Sequence, residues 1–210
     1  MKRIVFVFLF PVVLFASWED HQIFETAMVQ ALGNKAELMS TAFTGQLAQF
    51  IQSATNAHDR ATATLVLSIS TMTSFEETLD NALFLQSRNL ASNVFAVASL
   101  ETNGWQRFCA HLQLISSDTL DNKYSSACNT ATNALRAIEQ AGHTESTNRV
   151  LRAVLSHTFE APDLNLQQTL AVYAGLSLAV LKHPVEARAS VANLPLKYRQ
   201  MVEEILAEGP

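Results

Sequence analysis

Apolar residues recur along most of this chain at spacings of three and four positions, the period of an α-helix with one buried face. The pattern predicts about nine helices. Ser17 is expected to cap the first helix and Gly33 to end it, and Asn34 with Glu37 has the spacing of a capping box for the next one. We therefore predict an all-α fold in which residues 17–210 form a single-domain multi-helix bundle.

The segment from Ala61 to Ser74 fits two structures. Its β-branched residues favour a strand by propensity. However, no partner strand is evident, and Leu65, Ile69 and Met72 share one face of a helix. We predict a helix here.

Other helix boundaries follow from capping residues and prolines. Ser74 with Glu77 resembles a second capping box and is expected to start a long helix that ends at Gly104. The stretch "LQQTLAVYAGLSLAVL" is apolar on nearly every side, which predicts a place at the centre of the bundle. Pro184 and Pro195 each suit a first helical turn, so two short helices should end the chain.

The N-terminus has the composition of a secretory signal peptide. Lys2 and Arg3 precede an apolar run that extends to Phe15, and the small residues Ala16 and Ser17 follow. Because a membrane-spanning helix needs about 20 apolar residues, this run is too short for a stable anchor. We predict that residues 1–16 are a signal peptide and that the mature protein is secreted and extracellular.

The charge balance excludes some partners. Cleavage would remove two of the 14 basic residues and none of the 19 acidic ones, which leaves a net charge of about −7. Nucleic-acid binding requires clustered Lys and Arg, and none occur here. The same deficit argues against electrostatic docking on anionic membranes.

Cys109 and Cys128 are the only cysteines of the chain. An oxidising route favours a disulfide between them, whereas two reduced core thiols are the alternative. The sequence lacks the ligand spacing of a zinc site and the two-residue spacing of a redox motif. A polar turn at Ser116–Asp118 would place both cysteines at similar heights on adjacent antiparallel helices. We predict a disulfide-stapled hairpin, with a contribution of about 3 kcal/mol to stability.

No motif indicates a catalytic, cofactor-binding or metal-binding residue, and no cofactor is expected. The sequence lacks a Gly-rich phosphate loop and a His-Glu-x-x-His motif, and Ser177 lies in a helical pattern rather than a nucleophile elbow. The six histidines are scattered without ligand spacing. For an enzyme whose site is assembled from distant residues, His157 and Glu160 are the first suspects.

The segment "KYSSACNTA" carries a family resemblance. Cys109 lies near a helix start, Cys128 follows 19 positions later, and Tyr124 precedes the second cysteine by four positions. Over about 30 residues this arrangement resembles the insect secreted family typified by the tsetse midgut EP protein. Members of that family carry further cysteines downstream, and this chain has none after Cys128. The resemblance implies a gut, salivary or reproductive secretion without enzymatic activity, and it extends only to Cys109 and Cys128.

These observations favour a non-enzymatic extracellular protein that binds an apolar small molecule or a macromolecular partner. Several aromatic residues are candidates for lining a ligand cavity, although filling the core is the commoner role of such residues in a helical bundle. These candidates are Phe43, Phe50, Phe84, Phe95, Phe159 and Tyr173. The alternatives are an extracellular hydrolase and a structural or defensive secretion that acts through surface contacts.

Overall fold

The computed structural model describes residues 18–98, 104–140, 149–158, 164 and 166–207. Within these ranges the chain forms eleven α-helices and no β-strand, so the all-α prediction is confirmed with two helices more than expected. The helices are α1 (Trp18–Leu32), α2 (Lys35–Leu38), α3 (Thr41–Ser53), α4 (Ala57–Thr78), α5 (Asn81–Ala98), α6 (Gly104–Leu120), α7 (Tyr124–Gln140), α8 (Arg149–Thr158), α9 (Leu166–Val180), α10 (Pro184–Val191) and α11 (Leu196–Ala207). No helix of the described ranges is long and apolar enough to cross a bilayer. The predicted leader, residues 1–16, lies outside them.

The second predicted helix is divided into α2 and α3. Asn34 caps α2 by accepting a hydrogen bond from the Glu37 amide at 3.4 Å, as the sequence indicates. Ser40 then accepts one from the Phe43 amide at 3.2 Å and begins α3. A second cap therefore interrupts a stretch that hydrophobic periodicity alone presents as continuous.

The segment with two interpretations, Ala61 to Ser74, is helical and lies inside α4. The capping box predicted at Ser74 is wrong, because the Ser74 hydroxyl donates to the carbonyl of Ser70 within the same helix. Asp80 instead accepts a hydrogen bond from the Ala82 amide at 2.9 Å, next to the start of α5. A serine or threonine hydroxyl that donates to a carbonyl of its own helix has a hydrogen-bond partner, and the helix continues past it.

Helices α4 and α5 approach each other closely at two serines. The Ser68 hydroxyl donates to the Ser87 carbonyl at 2.9 Å, and the Ser87 hydroxyl donates to the Ser68 carbonyl at 2.8 Å. Both serines are fully buried. Their small side chains satisfy each other, so the interface carries polar groups without leaving them unpaired.

Helix α9 lies between two hydrophobic cores. The larger core draws residues from α1 to α8 together with Leu170 of α9. The smaller core packs Val172 and Ala179 of α9 against α10 and α11. Burial on both sides explains why the α9 sequence is apolar all round, in agreement with the predicted central position.

No disulfide joins Cys109 and Cys128, so the predicted staple is wrong. The turn between α6 and α7 lies at residues 121–123, not at 116–118. Cys109 is 11 residues before Leu120, and Cys128 is four residues after Tyr124. In an antiparallel pair this difference of seven residues separates the two cysteines by about 10 Å along the helix axes.

Ser117 and Asp118, which the sequence suggested for the turn, belong to α6 and find their partners from within that helix. The Ser117 hydroxyl donates to the Gln113 carbonyl at 2.9 Å. The buried Asp118 carboxylate lies 2.5 Å from the Arg88 guanidinium of α5 and accepts a hydrogen bond from the Ser126 hydroxyl of α7 at 2.5 Å. These contacts tie three helices together, so Asp118 is a buried ion-pair residue and not a helix cap.

Candidate functional site

A partly open cleft of about 420 Å³ lies where five helices meet: α2, α4, α6, α8 and α9. Most of its lining side chains are polar. They are Lys35, Ile69, Met72, Thr73, Glu76, Gln113, Ser116, His157 and Tyr173. Its volume is in the range of small-molecule sites, which measure about 300 to 1,000 Å³.

Helix α4 supplies one wall of the cleft. Ile69, Met72, Thr73 and Glu76 follow one another at the spacing of a single helix face. The Thr73 hydroxyl donates to the Ile69 carbonyl at 3.0 Å. Because its only hydrogen is used in that bond, the Thr73 oxygen can only accept a hydrogen bond from a ligand.

Helix α6 contributes Gln113 and Ser116, three positions apart on one face. Gln113 is buried and Ser116 is half-buried. Within the described part of the chain, no residue forms a hydrogen bond with the Gln113 amide or the Ser116 hydroxyl. These groups are therefore available to a ligand.

His157 of α8 is held by the end of α1. Its Nδ1 lies 3.1 Å from the Leu32 carbonyl oxygen. A carbonyl oxygen only accepts, so Nδ1 carries the hydrogen of this bond. In the neutral imidazole the other nitrogen, Nε2, is then an acceptor.

Tyr173 of α9 is half-buried at the cleft. Burial raises the pKa of its hydroxyl, so the phenol stays protonated at neutral pH. Among the residues that the structure describes, none forms a hydrogen bond with this hydroxyl. Tyr173 thus offers a ring face and a hydroxyl that can donate.

Lys35 reaches the cleft from α2, but its charge is already paired. Its ammonium forms an ion pair and hydrogen bond with Glu77 of α4. The hydrogen bond with Glu77 raises the pKa of Lys35, and the negative charges of Glu77 and Glu76 raise it further. Glu76 has no ion-pair partner within 4 Å in the described ranges, so its carboxylate carries the remaining charge of the site.

Two residues singled out in the sequence, Tyr173 and His157, lie together at this cleft. The other aromatic candidates do not join them there. Phe43 is buried in the larger core, and Phe50 stacks on Phe24 with the ring centroids 4.0 Å apart. Phe159 lies outside the described residues.

The two remaining aromatic candidates also serve packing. Phe84 packs against Phe75 at a centroid distance of 5.3 Å, and Phe95 packs against the His111 ring at 4.5 Å. Neither Phe84 nor Phe95 lines the five-helix cleft. Of the enzyme suspects, Glu160 lies outside the described residues.

Sequence reasoning missed the polar lining of the cleft. The available signal was a polar residue on an otherwise buried helix face: Thr73 beside Met72, and Gln113 beside Leu112. No group of three or more His, Cys, Asp or Glu side chains within the described ranges is placed to hold a metal ion.

No protein-family model matches the sequence, and no curated protein and no solved structure shows significant similarity to it.

Proposed function

We propose that the chain is a secreted, non-enzymatic helical protein that binds a small polar organic molecule in the five-helix cleft. The observation that carries this proposal is a concave site whose polar groups have no partner in the described chain: the Gln113 amide and the hydroxyls of Ser116 and Tyr173. Because the lining is mostly polar, we propose a polar ligand instead of the apolar one that the aromatic residues suggested.

Gln113 is the most buried of these three residues, and its amide atoms are not among the fully buried unpaired atoms of the described structure. A buried polar side chain is normally hydrogen-bonded, to protein or to water. Gln113 is only 5% exposed, and its amide lines the cleft. A ligand that bonds to it would replace water within a largely preformed site, which reduces the ordering cost of binding.

Secretion and the absence of enzymatic activity rest on sequence features. The N-terminal leader favours export, and the "KYSSACNTA" resemblance to the insect family favours a non-enzymatic secretion. A macromolecular partner is compatible with the same compartment, but the cleft favours a small molecule.

Ligand-observed NMR with a library of small polar metabolites tests this function. Ser116→Phe should fill the cleft, since Ser116 lines it. Ser125→Phe is the matched control, because Ser125 is exposed on α7 away from the lining residues. We expect at least one library member to bind the wild type and the control, and to lose at least tenfold in affinity with Ser116→Phe. Binding that survives Ser116→Phe, or a complete absence of binders, would contradict the proposal.

A hydrolase is the second candidate, because His157 is oriented by a backbone carbonyl and shares the cleft with Ser116. A base that is held by a second group and hydrogen-bonds a hydroxyl activates a nucleophile, and such a bond between His157 and Ser116 would have to form on substrate binding. Labelling with a broad serine-hydrolase probe distinguishes the two functions. Labelling that requires both Ser116 and His157, and is lost in Ser116→Ala and His157→Ala, would favour the enzyme.

A further inference from the structure

Three groups of the cleft, at Thr73, Glu76 and His157, offer a hydrogen-bond acceptor and no donor. The other uncharged polar groups of the lining can both donate and accept. The Thr73 hydroxyl donates its hydrogen bond to the Ile69 carbonyl, and the Nδ1 of His157 donates to the Leu32 carbonyl. Both therefore present an acceptor to a ligand when the imidazole is neutral. The Glu76 carboxylate is an acceptor as well, so the matching ligand is rich in donors.

The charge of the site points the same way. Lys35 is neutralised by Glu77, which is not among the lining residues. Glu76 is left with a negative charge at the exposed edge of the cleft. An anionic ligand would meet this carboxylate and would compete with Glu77 for Lys35, whereas a cation would meet a complementary charge.

An apolar surface accompanies the acceptors. The side chains of Ile69 and Met72 are almost fully buried on the α4 wall, and the Tyr173 ring lines the cleft from α9. Because Ile69 and Met72 are only 3% and 4% exposed, the apolar area open to the cleft is small and suits only a short hydrocarbon or a single ring. A cation next to an aromatic ring also gains from the negative face of that ring.

We infer that the ligand is a small protonated primary amine with a short apolar body. Its ammonium group has three donors for the acceptors Glu76, Thr73 and His157, and its hydrocarbon part lies against Ile69 and Met72. This inference rests on the proposed binding function and specifies the chemical class of its ligand.

Three probes of matched shape test the inference by calorimetric titration at pH 8. They are 2-phenylethylamine, the neutral 2-phenylethanol and the anionic 3-phenylpropanoate. We expect the amine to bind the wild type at least threefold more tightly than the alcohol, as a partly solvated charge pair allows, and the carboxylate to bind most weakly.

The variant Glu76→Gln keeps the shape of the side chain and removes its charge. It should abolish the preference for the amine over the alcohol and leave the affinity for the alcohol unchanged. Glu204→Gln is the matched control, since Glu204 is an exposed acid of α11 that does not line the cleft. That variant should retain the wild-type preference.

The outcomes separate this inference from the proposed function. If the alcohol binds as tightly as the amine, or if Glu76→Gln keeps the preference, the inference about charge is wrong while the cleft remains a binding site. A second outcome is that none of the three probes binds, while a neutral or anionic library member binds the wild type and loses affinity in Ser116→Phe. That outcome also overturns the inference, and the binding function stands. If no probe and no library member binds, both fail.

Discussion

At the scale of single residues, the side chain of Asp118 links three helices. Its carboxylate is 1% exposed and lies between Arg88 of α5 and the hydroxyl of Ser126 on α7. An ion pair of this kind is costly to break, because the partner charge is left desolvated without compensation. Asp118 is therefore a structural residue of the three-helix contact.

Replacing Asp118 with Ala should lower the free energy of unfolding by about 2 to 4 kcal/mol, since the partly buried Arg88 loses its closer carboxylate and keeps only Asp121, 3.8 Å from its guanidinium. Glu204→Ala is the matched control, because Glu204 is an exposed acid of α11 that forms no ion pair with Arg88. It should change stability little. Chemical denaturation monitored by circular dichroism measures both free energies of unfolding. Equal losses in the two variants would contradict the claim that the buried Asp118 ion pair stabilises the fold.

His111 is a second residue whose environment can be tested. Burial, together with the smaller effect of the nearby charge of Arg107, lowers the pKa of its imidazole to about 4. The ring packs against Phe95, and its buried Nδ1 has no hydrogen-bond partner among the residues that the structure describes. Protonation would thus place an unpaired charge in an apolar contact.

Stability should fall as the pH falls below 6.5, because the unfolded chain then binds a proton at His111 that the folded chain excludes until about pH 4. Between pH 6.5 and 5 the loss should be about 1 to 1.5 kcal/mol. His111→Leu should remove this part of the pH dependence, whereas His183→Leu, at an exposed position, should keep it. Identical pH profiles for the wild type and His111→Leu in urea denaturation would contradict the assignment.

At the scale of helices, the close packing of α9 against α10 and α11 depends on Gly175. A Cβ atom at this position would lie 2.7 Å from the Val191 Cγ1 of α10 and 3.5 Å from the Val202 Cγ2 of α11. The 2.7 Å contact is too short for two carbon atoms, so the Val191 side chain or its helix would have to shift, whereas the 3.5 Å contact is an ordinary one. Gly175 therefore sets the spacing of the smaller core.

Gly175→Ala should lower the free energy of unfolding by about 1 to 2 kcal/mol, after a partial offset from the higher helix propensity of Ala. Gly45→Ala is the matched control in α3, where an added Cβ meets nothing within 4 Å. That variant should raise stability by about 0.5 to 1 kcal/mol. Thermal or urea unfolding of the two variants checks the opposite signs, and a stabilising Gly175→Ala would contradict the packing described for α9.

From the packing of α6 against α7 we predict that Cys109 is a buried, reduced thiol. Its side chain is 2% exposed, and burial raises the pKa of its thiol, so it should resist alkylation in the native protein. In denaturant without a reducing agent, Cys109 should be alkylated, as mass spectrometry of its peptide can show. A Cys109 peptide recovered in disulfide linkage to the Cys128 peptide would contradict the stagger of about 10 Å between the helices.

Hydrophobic periodicity predicted the helices well, and capping residues predicted only some of their ends. Asn34 caps a helix as expected, and Gly33 follows the end of α1. Ser74 and Ser117 do not end helices, because each hydroxyl bonds to a carbonyl four residues earlier. A sequence alone does not distinguish these two uses of serine, since both place a hydroxyl next to a helical turn.

At the scale of the whole molecule, the cleft could not be predicted because its residues are distributed over most of the chain. Lys35 and Tyr173 are separated by more than a hundred positions, and they meet only after the helices between them have packed. His157 was selected without a geometric reason, and its bond to Leu32 spans 125 positions. Polar residues on buried helix faces were the one local signal, and it does not reveal which faces converge.

Chemical-shift mapping of the ¹⁵N-labelled protein during titration with 2-phenylethylamine tests the binding cleft most directly. We expect concerted, saturable shifts of amides from α4, α6, α8 and α9 around Met72, Gln113, His157 and Tyr173, and their loss in Ser116→Phe. Shifts confined to α10 and α11, or scattered over the surface without saturation, would contradict the assignment of this cleft as the binding site.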